Sequence, residues 1–277
     1  MVSQEQRRRQ LAREKFLRQQ QRRTSARRKA RMRNAAIASV LGVILIGSLA
    51  LYTTGVVLGD DDSKTNASAE VTPSASASSK APDPCDKPAE GKVKTQTWKK
   101  EPAMTIDESA KYSMKLETTC GDIDIALKAD AAPHTVNSFD FLAGKGYFDH
   151  TKCHRLTTEG IFVLQCGDPT AQGNGGPGYN IPDENLKDES LKDNMYPAGT
   201  VAMANTGQPD SGGSQFFLVY QNSPLPPSYT PFGTVSEEGM TVLKKIASAG
   251  SQPADPATGN TAPNATVVID KATVTKS

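Results

Sequence analysis

From Ala35 to Leu58 the chain runs for 24 residues without a charge, AAIASVLGVILIGSLALYTTGVVL. A helix of that length, at ~1.5 Å per residue, reaches across a hydrocarbon core of ~30 Å. So long an uncharged run is unusual inside a soluble domain, and it divides what can fold on either side of it. Ahead of it, residues 1–33 hold 13 of the 32 Lys/Arg and 2 of the 30 Asp/Glu. The formal charge of +2 therefore hides a basic end and a net acidic remainder. That end has too few apolar residues to bury a core of its own.

A secretory signal has a short basic part and an apolar stretch of ~7–15 residues. Both features are longer here, so the run is expected to be an uncleaved anchor. Arg22, Arg23, Arg27, Arg28, Lys29, Arg31 and Arg33 flank one side and Asp60, Asp61 and Asp62 the other. Basic flanks stay on the cytoplasmic side, which predicts a single-pass protein of the cell membrane with a cytoplasmic N-terminus and an extracytoplasmic C-terminal part. A basic tail beside a span meets anionic lipid first, so no nucleic acid partner is expected. The predicted organisation is a basic tail at 1–34, a transmembrane helix at 35–58, a flexible Ser/Ala/Thr/Pro-rich linker at 59–94 and one domain at 95–277.

In that domain, KYSMKLETTCGDIDIAL alternates apolar and polar residues around Cys120-Gly121-Asp122, as two paired strands would. Thr135 to Lys145 and Gly239 to Ala249 read as amphipathic helices. Between and after them lie short strand-like runs, CHRLT, IFVLQCG, GTVAMAN, SQFFLVY, PFGTV and ATVVIDKATVT, separated by Gly/Pro/Asn/Asp-rich turns. Many short strands with two helices predict a mainly β, antiparallel barrel capped by helices.

Several other motifs carry little. His150, Cys153 and His154 cluster as HTKCH but fall short of the four ligands of a structural zinc site. QGNGGPGY lacks the Lys-Ser/Thr of a phosphate loop. Ser211-Gly212-Gly213-Ser214 is not G-x-S-x-G, and no His follows His154. No cofactor and no metal is expected.

The stretches CHRLTTEGIFVLQCGDPTAQGNGGPGY, GTVAMANTGQPDSGGSQFFLVY and PFGTV, with their ordered HR, F-x-x-Q-x-G-D, M-A-N, G-S-Q-F-F and F-G motifs, resemble the cyclophilin family of peptidyl-prolyl cis/trans isomerases. The resemblance spans about Lys111 to Thr275. It implies a closed eight-stranded antiparallel β-barrel with a helix at each open end. It also implies a reaction: an X-Pro amide isomerises over a barrier of ~18–20 kcal/mol because resonance is lost as the bond twists. A fixed cationic donor near the prolyl nitrogen and a dry apolar pocket for the ring suffice to catalyse this.

By resemblance Arg155 is that donor, Gln165 orders it, and Phe162 with Val163, Phe217 and Leu225 holds the proline ring. Ala204, Asn205 and Gln215 edge the groove, and Tyr229 stands where the family usually has His. Two residues more than usual separate Arg155 from Phe162, so Phe162 is placed by counting back from Gln165, and Ile161 is the competing position. Pro224 aligns where cyclosporin-sensitive members have Trp, which implies weak cyclosporin binding. The partners implied are X-Pro segments of folding proteins, and the oligomeric state is left open. A binding module that holds such segments without turnover is the alternative to an enzyme.

Outside the cytoplasm thiols tend to pair. Four Cys allow three connectivities. Cys153 and Cys166 fall on strands expected to be adjacent, which favours Cys153–Cys166 with Cys85–Cys120. A free redox pair is the other possibility.

Overall fold

The computed structural model describes residues 82–277. The basic tail, the uncharged run at 35–58 and the linker up to residue 81 lie outside the described residues. Among the described residues no helix is long and apolar enough to cross a membrane.

The period-two pattern near the start of the domain folds as a hairpin. Strand β1 (Tyr112–Thr118) buries Tyr112, Met114 and Leu116 and exposes Ser113, Lys115 and Glu117, and β2 (Gly121–Leu127) buries Ile123, Ile125 and Leu127. Met114 stands opposite Ile125 and Leu116 opposite Ile123. Each such side chain contributes ~1.5–3 kcal/mol on leaving water. Gly121, at φ +125°, sits in the turn region between the strands, a conformation that favours glycine.

Helix α1 (Pro133–Gly144) begins two residues earlier than its predicted start, because Pro133 fits the first turn, where its missing N–H costs nothing. The remote Glu184 carboxylate accepts from the His134 N–H at 3.0 Å and the Thr135 N–H at 2.9 Å, placing negative charge at the positive end of the helix. On its inner face Phe139 is fully buried, with ring centroids 5.2 Å from Phe148, 5.4 Å from Phe216 and 4.6 Å from Phe232.

Next come β3 (Thr151–Lys152), β4 (Arg155–Leu156), β5 (Val163–Cys166), a 3-10 turn at Glu189–Asn194, β6 (Met195–Tyr196) and β7 (Thr200–Met203). They are followed by β8 (Phe216–Val219), β9 (Ser223–Pro224), β10 (Pro231–Val235), helix α2 (Glu237–Ser248) and β11 (Val268–Lys276). Ser236 caps α2 by accepting from the Gly239 N–H at 3.0 Å, and Glu237 and Glu238 occupy the first turn.

Nine strands form one antiparallel sheet in the order β3-β11-β1-β2-β10-β7-β8-β5-β4, while β6 and β9 pair separately. The sheet is a curled antiparallel half-barrel. The expected eight strands appear as nine, because a single run, 151–156, supplies both end strands of that order, β3 and β4. The cause is local. CHRLT reads as one strand, but the chain changes partner just there. Thr151 and Lys152 pair with β11, Arg155 and Leu156 pair with β5, and between them Cys153 N–H donates to Val267 O at 3.0 Å and His154 N–H to Gln165 O at 3.1 Å.

The near-continuous apolar runs IFVL, TVAM and FFLV also have a physical reason. Strands β5, β7 and β8 are buried on both faces. One face, with Leu164, Val201, Met203, Phe216 and Leu218, joins the main core around Phe139. The other, with Val163, Ala202, Phe217 and Val219, joins a second apolar cluster with Tyr196 and Leu191, flanked by Ile161, Ala204, Leu225 and Tyr229.

Residues 82–94, expected as the end of a flexible linker, are fastened to the domain. Asp83 accepts from the Thr266 N–H at 3.0 Å, Asp86 N–H donates to Thr119 O at 2.8 Å, and Lys94 Nζ donates to Lys145 O at 2.8 Å. Cys85 is bonded to Cys120 and Cys153 to Cys166, the pairing expected from the sequence, and no cysteine is free among the described residues.

Candidate active site

The second apolar cluster borders a pocket of about 110 Å³ lined by Arg155, Ile161, Val163, Gln165, Ala204, Asn205, Phe217, Leu225 and Tyr229. Its floor is set by strand register: Arg155 lies opposite Gln165, Gln165 opposite Phe217, and Phe217 opposite Ala202. Alternation along the chain then carries Ile161, Val163 and Gln165 to the same side. Phe217 and Tyr229 meet edge to face at 5.4 Å, giving the pocket an aromatic wall. The Tyr229 main chain is held in turn by Tyr196, whose hydroxyl donates to Tyr229 O at 2.7 Å and accepts from the Tyr229 N–H at 3.1 Å. Burial pushes the Tyr196 phenol up to about 12, so it stays protonated and keeps donating.

Arg155 is the single full charge on this lining. Burial lowers its pKa, an effect Tyr229 partly opposes, yet a guanidinium remains protonated throughout the working range. Among the described residues no carboxylate pairs with it. Its Nη1 donates to Gln165 Oε1 at 3.2 Å, Gln165 Nε2 donates to Gln215 Oε1 at 2.9 Å, and Gln215 Nε2 donates to Gly175 O at 2.9 Å. This relay fixes both amide orientations and aims the guanidinium, leaving its other N–H groups for a ligand.

Gln165, Ala204 and Asn205 also line an adjoining cleft of about 390 Å³, formed with residues 173–180, Thr206, Ser211, Gly213, Ser214 and Gln215. Gln215 thus belongs to the cleft rather than to the small pocket. Ala204 N–H is taken by Gln215 O at 2.9 Å, and the Asn205 side chain donates to Ser228 O at 2.7 Å, so this edge is rigid.

One expected residue is displaced. Phe162 does not line the pocket: its ring lies 5.9 Å from Tyr220 and its N–H donates to the Ser223 hydroxyl at 2.8 Å. Ile161 takes the place on the pocket side, because residues at odd positions face the groove and the longer connection after Arg155 brings Ile161 to it. Pro224, in β9, is exposed and does not line the pocket, whereas its neighbour Leu225 does. Two supports escaped the sequence reading. Tyr196 was hidden in an unremarkable run, and Asp168 was visible only as the G-D after Gln165. Asp168 is fully buried and accepts from the Thr170 N–H at 2.7 Å, the Thr170 hydroxyl at 2.8 Å, the Gly173 N–H at 2.6 Å and the Gly175 N–H at 3.1 Å. It shapes the turn that presents Gly175 O to Gln215.

Among the described residues no cluster of three or more His, Cys, Asp or Glu could hold a metal ion. Cys153 of HTKCH is in a disulfide, and both ring nitrogens of His154 are buried without a protein partner.

The family model described as cyclophilin type peptidyl-prolyl cis-trans isomerase matches residues 113–274. The chain belongs to this family. The match runs from β1 to β11 and so contains every residue of the pocket. Relatives named probable peptidyl-prolyl cis-trans isomerase B from Mycobacterium leprae and Mycobacterium tuberculosis are each 44% identical over 179 residues, 62% of this chain and 56% and 54% of theirs. The chain therefore spans little more than half the length of these relatives. A peptidyl-prolyl cis-trans isomerase-like 1 from Rhizopus delemar is 39% identical over 142 residues, half of this chain and 81% of that one. A Cryptosporidium parvum cyclophilin crystal structure aligns over 60% of this chain and 99% of its own, at 24% identity and a TM-score of 0.46.

Proposed function

We propose that this chain is a peptidyl-prolyl cis/trans isomerase acting on X-Pro segments of proteins that fold outside the cytoplasm. The observation that carries the reading is Arg155: a charged donor, without a carboxylate partner, on the edge of an apolar pocket sized for a small ring. The pyrrolidine ring sits against Val163, Phe217, Leu225 and Tyr229, with Ile161 beside them. The peptide lies along the Ala204–Asn205 edge. As the amide twists, the lone pair localises on the prolyl nitrogen and an Arg155 N–H moves to stabilise it, more strongly than in the planar ground state. The relay through Gln165 and Gln215 holds the guanidinium in place before the bond twists, so little reorganisation is left for the reaction itself. No proton is transferred and no bond to the protein forms.

Anchoring by residues 35–58, with the N-terminus cytoplasmic and the domain outside, belongs to the same proposal. It is supported by the length of the uncharged run, the basic flank and two disulfides, which persist in oxidising compartments. A protease added to intact cells should remove the domain and leave the tail; protection of the domain refutes the topology.

The test of activity is the cis-to-trans rate of a short Ala-Pro peptide with the full-length protein and its Arg155→Ala variant. Removing one preorganised donor costs about 10²–10³ in rate where it stabilises the transition state. A folded wild-type protein that binds the peptide without accelerating it would instead be a Pro-segment binding module.

A further inference from the structure

The family match starts at residue 113, yet the chain is already fastened to the domain 30 residues earlier. This N-terminal strap passes directly behind the wall of the 390 Å³ cleft. Trp98 N–H donates to Pro177 O at 2.7 Å. At Gly178, φ is +88°, and a Cβ there would lie 2.7 Å from Trp98 O and 2.9 Å from the Thr97 Cβ. Only glycine lets rim and strap come this close. On its other side the rim is pressed against the opposite wall of the cleft, since a Cβ at Gly213 would sit 3.2 Å from Pro177 Cδ.

The strap reaches the cleft by a second route. The Trp98 ring packs edge-on against Phe141 at 5.1 Å and tilted against Tyr147 at 5.9 Å. The Tyr147 hydroxyl accepts from the Ser214 hydroxyl at 3.3 Å, and Ser214 lines the cleft beside Gln215. One residue outside the family match thus braces both walls, by its main chain at Pro177 and by its ring through Tyr147.

We propose that Trp98 is a positioning residue that sets the width of this cleft, and with it the enzyme's preference for peptides that extend beyond the proline pocket. The small pocket meets neither contact directly and joins the cleft only along Gln165, Ala204 and Asn205, so the strap's effect falls first on the longer peptide. The inference rests on the isomerase reading and sharpens it.

The test compares two substrates of the full-length protein: an end-blocked Ala-Pro unit, which occupies the 110 Å³ pocket, and a peptide with four residues on each side of Ala-Pro. NMR exchange separates KM from kcat for both. In Trp98→Ala, KM for the long peptide should rise about fivefold, the scale of one lost contact of this kind. The short substrate and kcat should stay unchanged, and Trp98→Phe should restore most of the preference. Gly178→Ala, whose added methyl pushes the rim off the strap, should shift the same ratio. Trp98 is the sole tryptophan of the chain, so its emission in the wild-type protein provides a readout that needs no variant: the long peptide should shift it and the short one should not. Equal losses on both substrates, an unchanged KM ratio in the folded variants, or emission indifferent to the long peptide would overturn the proposal. Absence of acceleration with either substrate would instead remove the isomerase reading on which it rests.

Discussion

Replacing Asp168 by Asn tests how much of the geometry proposed for catalysis is held by a residue outside the pocket lining. The carboxylate is fully buried and receives four donors, two on each oxygen. Burial alone would raise its pKa, but the hydrogen bonds from Thr170, Gly175 and Gly173 outweigh it and the net shift is downward. An amide of the same shape turns one acceptor into a donor; the Thr170 hydroxyl can turn to accept from it, but at least one backbone N–H is left facing N–H. Each buried donor without an acceptor costs about 1–3 kcal/mol. The expected destabilisation is therefore about 1–3 kcal/mol, read as a lower urea midpoint at unchanged slope. The sign with pH is fixed as well. A carboxyl with a depressed folded pKa contributes stability that is present above its unfolded value of ~3.9 and is lost as pH falls through the folded pKa. The acid limb of the stability curve should thus be shallower in Asp168→Asn. The Gly175 carbonyl would also release Gln215, so the remaining folded enzyme should turn over more slowly while Ala-Pro binding is kept. A variant within about 0.5 kcal/mol of wild type, with the same acid limb, would refute the reasoning.

Two more outcomes follow from contacts already described. Replacing Cys153 and Cys166 together by Ser opens a loop with a sequence separation of 13, which should cost about 3 kcal/mol in thermal or denaturant unfolding; an unchanged midpoint would contradict it. His134 Nδ1 lies 2.6 Å from Glu101, whose hydrogen bond raises the imidazole pKa, so the pair's small contribution is complete below the unfolded His value of ~6.5 and fades as pH rises through the folded one. The melting temperature of Glu101→Gln should approach wild type at alkaline pH and fall below it near pH 5.5.

How far the fold was legible depended on whether each residue's environment is local. Alternation announced β1 and β2 because each has one wet face. Periodicity placed both helices but began each two residues late, at Thr135 and Gly239, because Pro133 and the Ser236 cap act through end chemistry and lie outside the apolar pattern. Cys153–Cys166 could be anticipated because an antiparallel register brings the two together. Phe162 misled for an instructive reason: its motif spacing is fixed from Gln165, but alternation from Gln165 carries Val163 and Ile161 to the groove and turns Phe162 toward Tyr220. The partner change at Cys153-His154 was hidden too, since a strand broken across two neighbours has the same residues as an unbroken one. Trp98 could not have been assigned at all, because its role depends on Pro177 and Tyr147, which are distant in sequence.

The bond between Cys85 and Cys120 also determines how the domain bears a mechanical load. Tension arriving from upstream meets Asp83, held to Thr266, and then Cys85, where the disulfide passes it to the tight corner after β1. There Asp86 is also tied to Thr119, beside the ends of the β1–β11 and β1–β2 ladders. The strap downstream, with Trp98 at the cleft wall, is outside that path. A pull from upstream would be met at that corner before it reached Trp98 and the cleft wall.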